Sequence, residues 1–125
     1  MKIKVEELKK LTKQALSKQG YNDQEAQVIQ EVLMYAQLRG NNQGLVKLIG
    51  NGIPKRKGTA PPEVVKDTPV STLLDGKKTH AIIIMDQLAD IAIEKAKKSG
   101  IGVAGNFDTD ESTGAIGYYV KKVAD

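Results

Sequence analysis

Apolar residues recur every three or four positions along the first forty residues, with polar and charged residues between them. Val5, Leu8, Leu11, Ala15 and Leu16 fall on one stripe and predict an amphipathic helix. Lys9, Lys10, Lys13, Gln14 and Lys18 fill the opposite side, and Gly20 is placed to stop the helix in a left-handed conformation. Glu6 and Lys10 stand four apart as a favourable exposed pair, so the lysine side reads as a solvated face rather than a nucleic-acid stripe. Asn22 with Glu25 three residues later has the form of a capping box, and Tyr21 just before it is placed to staple onto Ala26. Ala26, Ile29, Val32, Leu33 and Ala36 then form a second stripe that ends at Gly40. The two segments predict an antiparallel helical hairpin over residues 6–39, packed through Leu8, Leu11, Leu16, Ile29, Val32 and Leu33.

Beyond the hairpin the pattern changes. Arg39 to Gly44 is a polar turn, Leu45 to Ile49 suits a short third helix, and Gly50-Asn51-Gly52-Ile53-Pro54 breaks it. Residues 55–62 read as a surface loop whose Lys55-Arg56-Lys57 run is solvated. Short strands are expected at Val64–Lys66 and Ser71–Asp75, with a turn at Asp75-Gly76. Ile84, Leu88, Ile91, Ala92 and Ala96 predict the longest helix, from about Ala81 to Lys98, with Gly100 as its stop. Ile101–Gly105 reads as a small buried strand, which completes a βαβ-like unit. The polar loop 106–112 leads to a last helix starting near Thr113 and running to Val123.

With 125 residues, the chain suits a single domain, a helical part over 1–54 and an α/β part over 63–125. The longest apolar run, Ala81 to Met85, is five residues, and the first residues have no apolar signal core, so a cytoplasmic protein without a membrane span is expected. The absence of cysteine excludes disulfides, thiolate metal sites and cysteine nucleophiles. A single histidine, His80, leaves one imidazole in the whole chain, and its place at a helix start reads as structural or exposed. The net charge of +4 does not make a nucleic-acid binder, because Tyr118-Tyr119 is the sole aromatic cluster and no stacking platform accompanies the lysines.

The stretch Gly105 to Tyr119 carries the most chemistry. Ser112-Thr113-Gly114-Ala115-Ile116-Gly117 follows a strand and opens a helix, and free amides beside hydroxyls and glycines can hold an anion. The pattern is neither GxGxxG nor a P-loop, and a capped helix packed through small residues is the plainer reading. Asp108 and Asp110 begin a calcium-loop spacing, but Ser112 stands at its fifth position, no glycine at its sixth, and Tyr119 at its twelfth, so no metal site is expected.

Six segments in order resemble the N-terminal part of the type-2 malate/L-lactate dehydrogenase family. They are VEELKKLTKQAL, YAQLRG, GLVKL, VVKDTPVSTLLDG, AIEKAKKSGIGV and TGAIGYYVKK. The resemblance covers nearly the whole of this chain and a minor part of the family's. It implies an α/β (α+β) fold: a helical hairpin followed by a small mixed sheet with flanking helices, distinct from the Rossmann fold. It also implies reduction of 2-oxo acids, or oxidation of 2-hydroxy acids, with NAD or NADP. The family's R-G-x-D-S-H-G-V-x-R motif resembles Arg39 to Lys47, one residue shorter, with Gln43 where the family has its acid/base histidine and Lys47 where it has the carboxylate-binding arginine. Lys47 can pair a carboxylate as a point charge, whereas Gln43 can hydrogen-bond a carbonyl but cannot exchange a proton. The family's N-H-F-G-A-A-G-Y-Y motif resembles Glu111 to Tyr119, with its G-A-x-G-Y-Y half kept and Ser112-Thr113 in place of His-Phe.

By this resemblance Lys47 is the expected substrate-binding residue, and Ser112, Thr113 and Gly114 are the expected cofactor-binding residues. The chain is expected to be an incomplete or truncated oxidoreductase homologue, with little activity by itself and a small 2-oxo or 2-hydroxy acid as its ligand. The alternative is a non-catalytic structural or interaction domain derived from that family. Either way, a homo-oligomer or a partner chain is expected to cover unpaired strand edges.

Overall fold

A computed structural model describes all 125 residues. Its elements run α1 (Val5–Lys18), α2 (Asp23–Gln37), a 3-10 turn (Leu45–Leu48), β1 (Glu63–Asp67), β2 (Ser71–Asp75), α3 (Ala81–Ser99), β3 (Val103–Phe107) and α4 (Ile116–Ala124). The architecture is α+β: four helices around a three-stranded mixed sheet of order β1-β2-β3. β1 and β2 form an antiparallel hairpin in which Thr68 Oγ1 accepts the Ser71 N–H at 2.9 Å. β2 and β3 are parallel, joined through α3.

The capping box at the start of α2 forms in both directions, Glu25 N–H to Asn22 Oδ1 and Asn22 N–H to Glu25 Oε2, each at 2.9 Å. Tyr21 is buried beside Ala26 in the main core, and its hydroxyl donates to the Ile53 carbonyl at 2.8 Å. That bond fastens the 50–54 break onto the hairpin. The main core joins Leu16 of α1, Ile29, Val32 and Leu33 of α2, Ile82 of α3 and Tyr119 of α4. A smaller cluster of Leu74, Ile84 and Leu88 seals α3 against one face of the sheet.

Four expectations need correction. Leu11 is 49% exposed, and Thr12 takes the buried place, donating its hydroxyl to the Leu8 carbonyl at 2.8 Å. The α1 stripe is thus rotated by one residue at its centre. The third strand is Val103–Phe107 rather than Ile101–Gly105, because Gly102 is pressed against the Ala92 carbonyl of α3 and pairing with β2 continues to Asp75↔Phe107. The last helix begins at Ile116, three residues later than expected, because Gly114 adopts φ +75° and turns the chain before it. The 55–57 cations are not all free: Lys55 pairs with Glu25 at 2.7 Å and Arg56 with Asp110 at 2.8 Å.

Candidate functional site

Lys47 lies in the 3-10 turn, and that turn is anchored by its glycine. A Cβ on Gly44 would come within 2.9 Å of the Gln37 backbone, and Gln37 Oε1 accepts the Leu45 N–H at 3.1 Å. The turn is thereby seated on the C-terminal end of α2. From it the Lys47 ammonium reaches across to donate to Ser112 Oγ on the loop between β3 and α4. Gln43 stays apart from this pair. Its N–H is held by Asn41 Oδ1 at 2.8 Å, and its side-chain amide contacts only Asn42.

The loop around Ser112 is built from the residues that follow it. At Gly114 an added Cβ would lie 3.0 Å from Val32 Cγ1 and 3.3 Å from Ile82 Cδ1, and the φ of +75° disfavours side chains there as well. Gly114 therefore rests on the core and offers no open cradle for a phosphate. Tyr119, 4% exposed, donates to the Thr113 carbonyl at 2.6 Å and pins the loop from below. A Cβ on Gly117 would come 2.9 Å from the Tyr35 hydroxyl. Tyr118 meets the rings of both Tyr35 and Tyr119 edge to face, at 5.8 and 5.4 Å, and donates to Glu31 at 3.0 Å. The G-A-x-G-Y-Y half of the motif is thus packing that holds the loop, and Ser112 is the residue that meets Lys47.

The upstream side of the loop is tied to the start of α3. Asp110 N–H donates to the Thr79 carbonyl at 3.1 Å, and Ala81 N–H donates to the Asp110 carbonyl at 2.8 Å. Between them His80 is buried, 6% exposed, with Nδ1 accepting the Ile82 N–H at 3.1 Å as the cap of α3. Its Nε2 is buried without a hydrogen-bond partner. Burial, with a smaller contribution from the Lys47 charge, pushes its pKa down to about 4. The cavity beside it is about 10 Å³, room for one water and not for an organic acid. Position in the chain suggested a structural or exposed histidine; the structural alternative holds, and only the fold reveals that Asp110 and Lys47 face it.

The chain can therefore present a half-buried cation, Lys47, beside the Ser112 hydroxyl, an arrangement suited to a carboxylate or another small anion. No group able to exchange a proton near neutral pH is exposed beside it: His80 is sealed and Gln43 does not titrate.

The chain is 27% identical over 124 residues to the L-sulfolactate dehydrogenase of Methanocaldococcus jannaschii, covering 95% of this chain and 36% of that enzyme. It is 28% identical over 136 residues to the malate dehydrogenase of Pyrococcus abyssi, covering all of this chain and again 36% of the relative. Among solved structures, the malate dehydrogenase of Entamoeba histolytica superposes with a TM-score of 0.85 at 26% identity, over 95% of this chain and 34% of that one. The malate dehydrogenase of Pyrococcus horikoshii superposes at 0.82 with 25% identity, over 95% and 35%. The chain thus spans about a third of the length of the relatives it matches. Since the malate/L-lactate dehydrogenase family model matches residues 3–125, this chain belongs to that family.

Proposed function

We propose that this chain supplies the substrate-anion side of an NAD(P)-linked 2-hydroxy acid oxidoreductase site, acting in the cytoplasm on a small 2-oxo or 2-hydroxy acid. One observation carries this reading: Lys47 is hydrogen-bonded to Ser112, which joins the two stretches of chain that resemble the family's motifs. Lys47 holds the substrate carboxylate as a point charge, and the Ser112 and Thr113 hydroxyls orient it. The two parts of the chain, 1–54 and 63–125, act as one domain, a reading supported by a core that draws Leu16 and Ile29 from the first and Ile82 and Tyr119 from the second.

A nicotinamide cofactor supplies the hydride in such a reaction. Ser112, Thr113 and Gly114 are the residues expected to contact it, with Gly114 packed from below on Val32 and Ile82. No hydride step is assigned to residues of this chain. A proton donor is also missing. General acid catalysis contributes about 10²–10⁴-fold, or roughly 3–5 kcal/mol of barrier, and neither Gln43 nor the sealed His80 supplies it. The same observation favours a second reading, a non-catalytic binding or interaction domain derived from the family.

Titration of the labelled chain with malate, lactate and sulfolactate, followed by amide NMR, tests the proposal. Shifts clustered at Lys47 and Ser112 that vanish in Lys47→Ala are expected. No response to any of the acids would leave the interaction-domain reading in its place.

A further inference from the structure

Gly50-Asn51-Gly52, just after the 3-10 turn, lies between two fixed points. Upstream, the Leu45 N–H donates to Gln37 Oε1 at 3.1 Å. Downstream, the Ile53 N–H donates to Gln19 Oε1 at 3.1 Å and the Lys55 N–H to the Gln19 carbonyl at 2.9 Å. Gln19 also decides which residue can follow Asn51. Gly52 adopts φ +64°, and a Cβ there would come 1.8 Å from Gln19 Nε2. Glycine is the residue that fits, and it leaves its backbone nitrogen unshielded by a side chain.

An asparagine in front of such a nitrogen carries its own reaction partner, and asparagine is among the thermolabile residues. Hydrogen bonds to either group, or a bulky following residue, hold the two apart. The chain has five asparagines, and four are restrained in this way. Asn22 Oδ1 accepts the Glu25 N–H at 2.9 Å. Asn41 Oδ1 accepts the Gln43 N–H at 2.8 Å, which occupies the nitrogen that follows Asn42. Asn106 lies in β3, donates to Thr109 Oγ1 at 3.3 Å and precedes Phe107. Asn51 differs from all of them: it is exposed, its side chain makes no hydrogen bond, and neither does the Gly52 N–H. Asp75-Gly76 shows the guarded version of the same dipeptide chemistry. There the Gly76 N–H donates to the Phe107 carbonyl at 2.8 Å, and Asp75 Oδ1 accepts the Lys77 N–H at 3.0 Å.

We propose that Asn51 is a self-modifying site, where the folded protein converts its own asparagine to aspartate and isoaspartate. The Gly52 nitrogen attacks Asn51 Cγ. A new N–Cγ bond forms, the Cγ–Nδ2 bond breaks, and the amide leaves as ammonia with the proton that Gly52 gives up. Water then opens the resulting succinimide, its hydroxyl going to one of the two ring carbonyls and its proton to the nitrogen. Opening at Cγ gives aspartate; opening at the main-chain carbonyl gives isoaspartate, whose chain runs through the side chain. No oxidant or reductant takes part.

Both products are ionised at neutral pH and lower the net charge of +4 by one. The isoaspartate also adds a backbone atom to a segment that Gln37 and Gln19 hold at its two ends. Lys47 lies inside that segment, so the modification displaces the turn that carries it. This consequence concerns the position of Lys47 and stands apart from whether Lys47 binds an acid.

The test incubates the 125-residue chain in mildly alkaline buffer and releases residues 48–55 with trypsin; Asn51 is the asparagine in that peptide. Mass and chromatographic retention should show loss of intact Asn51 and growth of two acidic products, as in a synthetic peptide of the same residues. Asn22, Asn41, Asn42 and Asn106 should stay intact over the same period, and Asn51→Gln should abolish the products. Amide signals of Lys47 and Ile53 should move in step with the conversion. An Asn51 that stays intact in the folded chain under conditions that convert the peptide overturns the proposal. Conversion of the other asparagines at the same rate overturns its structural basis, and converted chain with unmoved Lys47 and Ile53 signals overturns the coupling to the turn.

Discussion

Lys47 and Ser112, sixty-five positions apart, meet through a side-chain hydrogen bond that spans the 3-10 turn after α2 and the loop before α4. Everything around the pair holds it in place: Gly44 seats the turn on Gln37, and Tyr119 and Gly114 lock the loop to the core. Lys47→Ala should weaken binding of a small carboxylic acid by at least about tenfold, since a charge-assisted hydrogen bond contributes roughly 1.5–3 kcal/mol. Isothermal titration with malate checks this. Lys47→Arg, which keeps the charge, should retain most of the affinity.

Gly114→Ala places a Cβ 3.0 Å from Val32 in a left-handed backbone conformation. Strain of this kind costs about 1–3 kcal/mol, and urea melts should show it. The same variant should disturb the Lys47 and Ser112 amide signals, because Gly114 lies two residues beyond Ser112 in the loop that carries it.

The hairpin core gives a graded test. Leu33 is fully buried and Leu11 is 49% exposed. Leu33→Ala should cost about 2–5 kcal/mol, whereas Leu11→Ala should cost less than about half a kcal/mol. Equal losses in denaturant melts would mean that α1 turns its predicted stripe inward after all.

His80 makes stability depend on pH. Its folded-state pKa is about 4, below the ordinary 6.5, so the unfolded chain takes up the proton first. Stability contributed by the neutral ring is complete above about pH 6.5 and is lost as pH falls towards 4, up to about 3 kcal/mol. His80→Asn keeps a cap for Ile82 N–H and removes the titration. Its melts should be flatter between pH 4 and 6.5 than those of the unaltered chain.

Features that depend on neighbours in the chain were legible before the fold was known. The Asn22–Glu25 box and the Gly100 stop, which lies at φ +80°, are local chemistry and form as read. Four segments with the right order of glycines and apolar residues gave α1 to α4, and β2-α3-β3 is the expected βαβ unit. What escaped depends on distant contacts. Leu11 and Thr12 compete for one place on α1, and packing against α2 decides between them. The start of α4 shifts because Gly114 answers to Val32 and Ile82, residues 82 and 32 positions away. Arg56 finds Asp110 across 54 positions, a pairing that no local pattern signals. At the site, Lys47 and Ser112 were named from motif resemblance, but their contact, and the sealing of His80, belong to the tertiary structure.

Under the proposal, Lys47 holds a substrate anion and no exposed group beside it exchanges a proton near neutral pH. Nicotinamide absorbance tests it most directly: the purified 125-residue chain is incubated with NADH or NADPH and, in turn, oxaloacetate, pyruvate and sulfopyruvate. No protein-dependent loss of the reduced-nicotinamide band is predicted with any pair, and Gln43→His should not create one. Steady consumption by the unaltered chain, abolished by Lys47→Ala, would contradict the account.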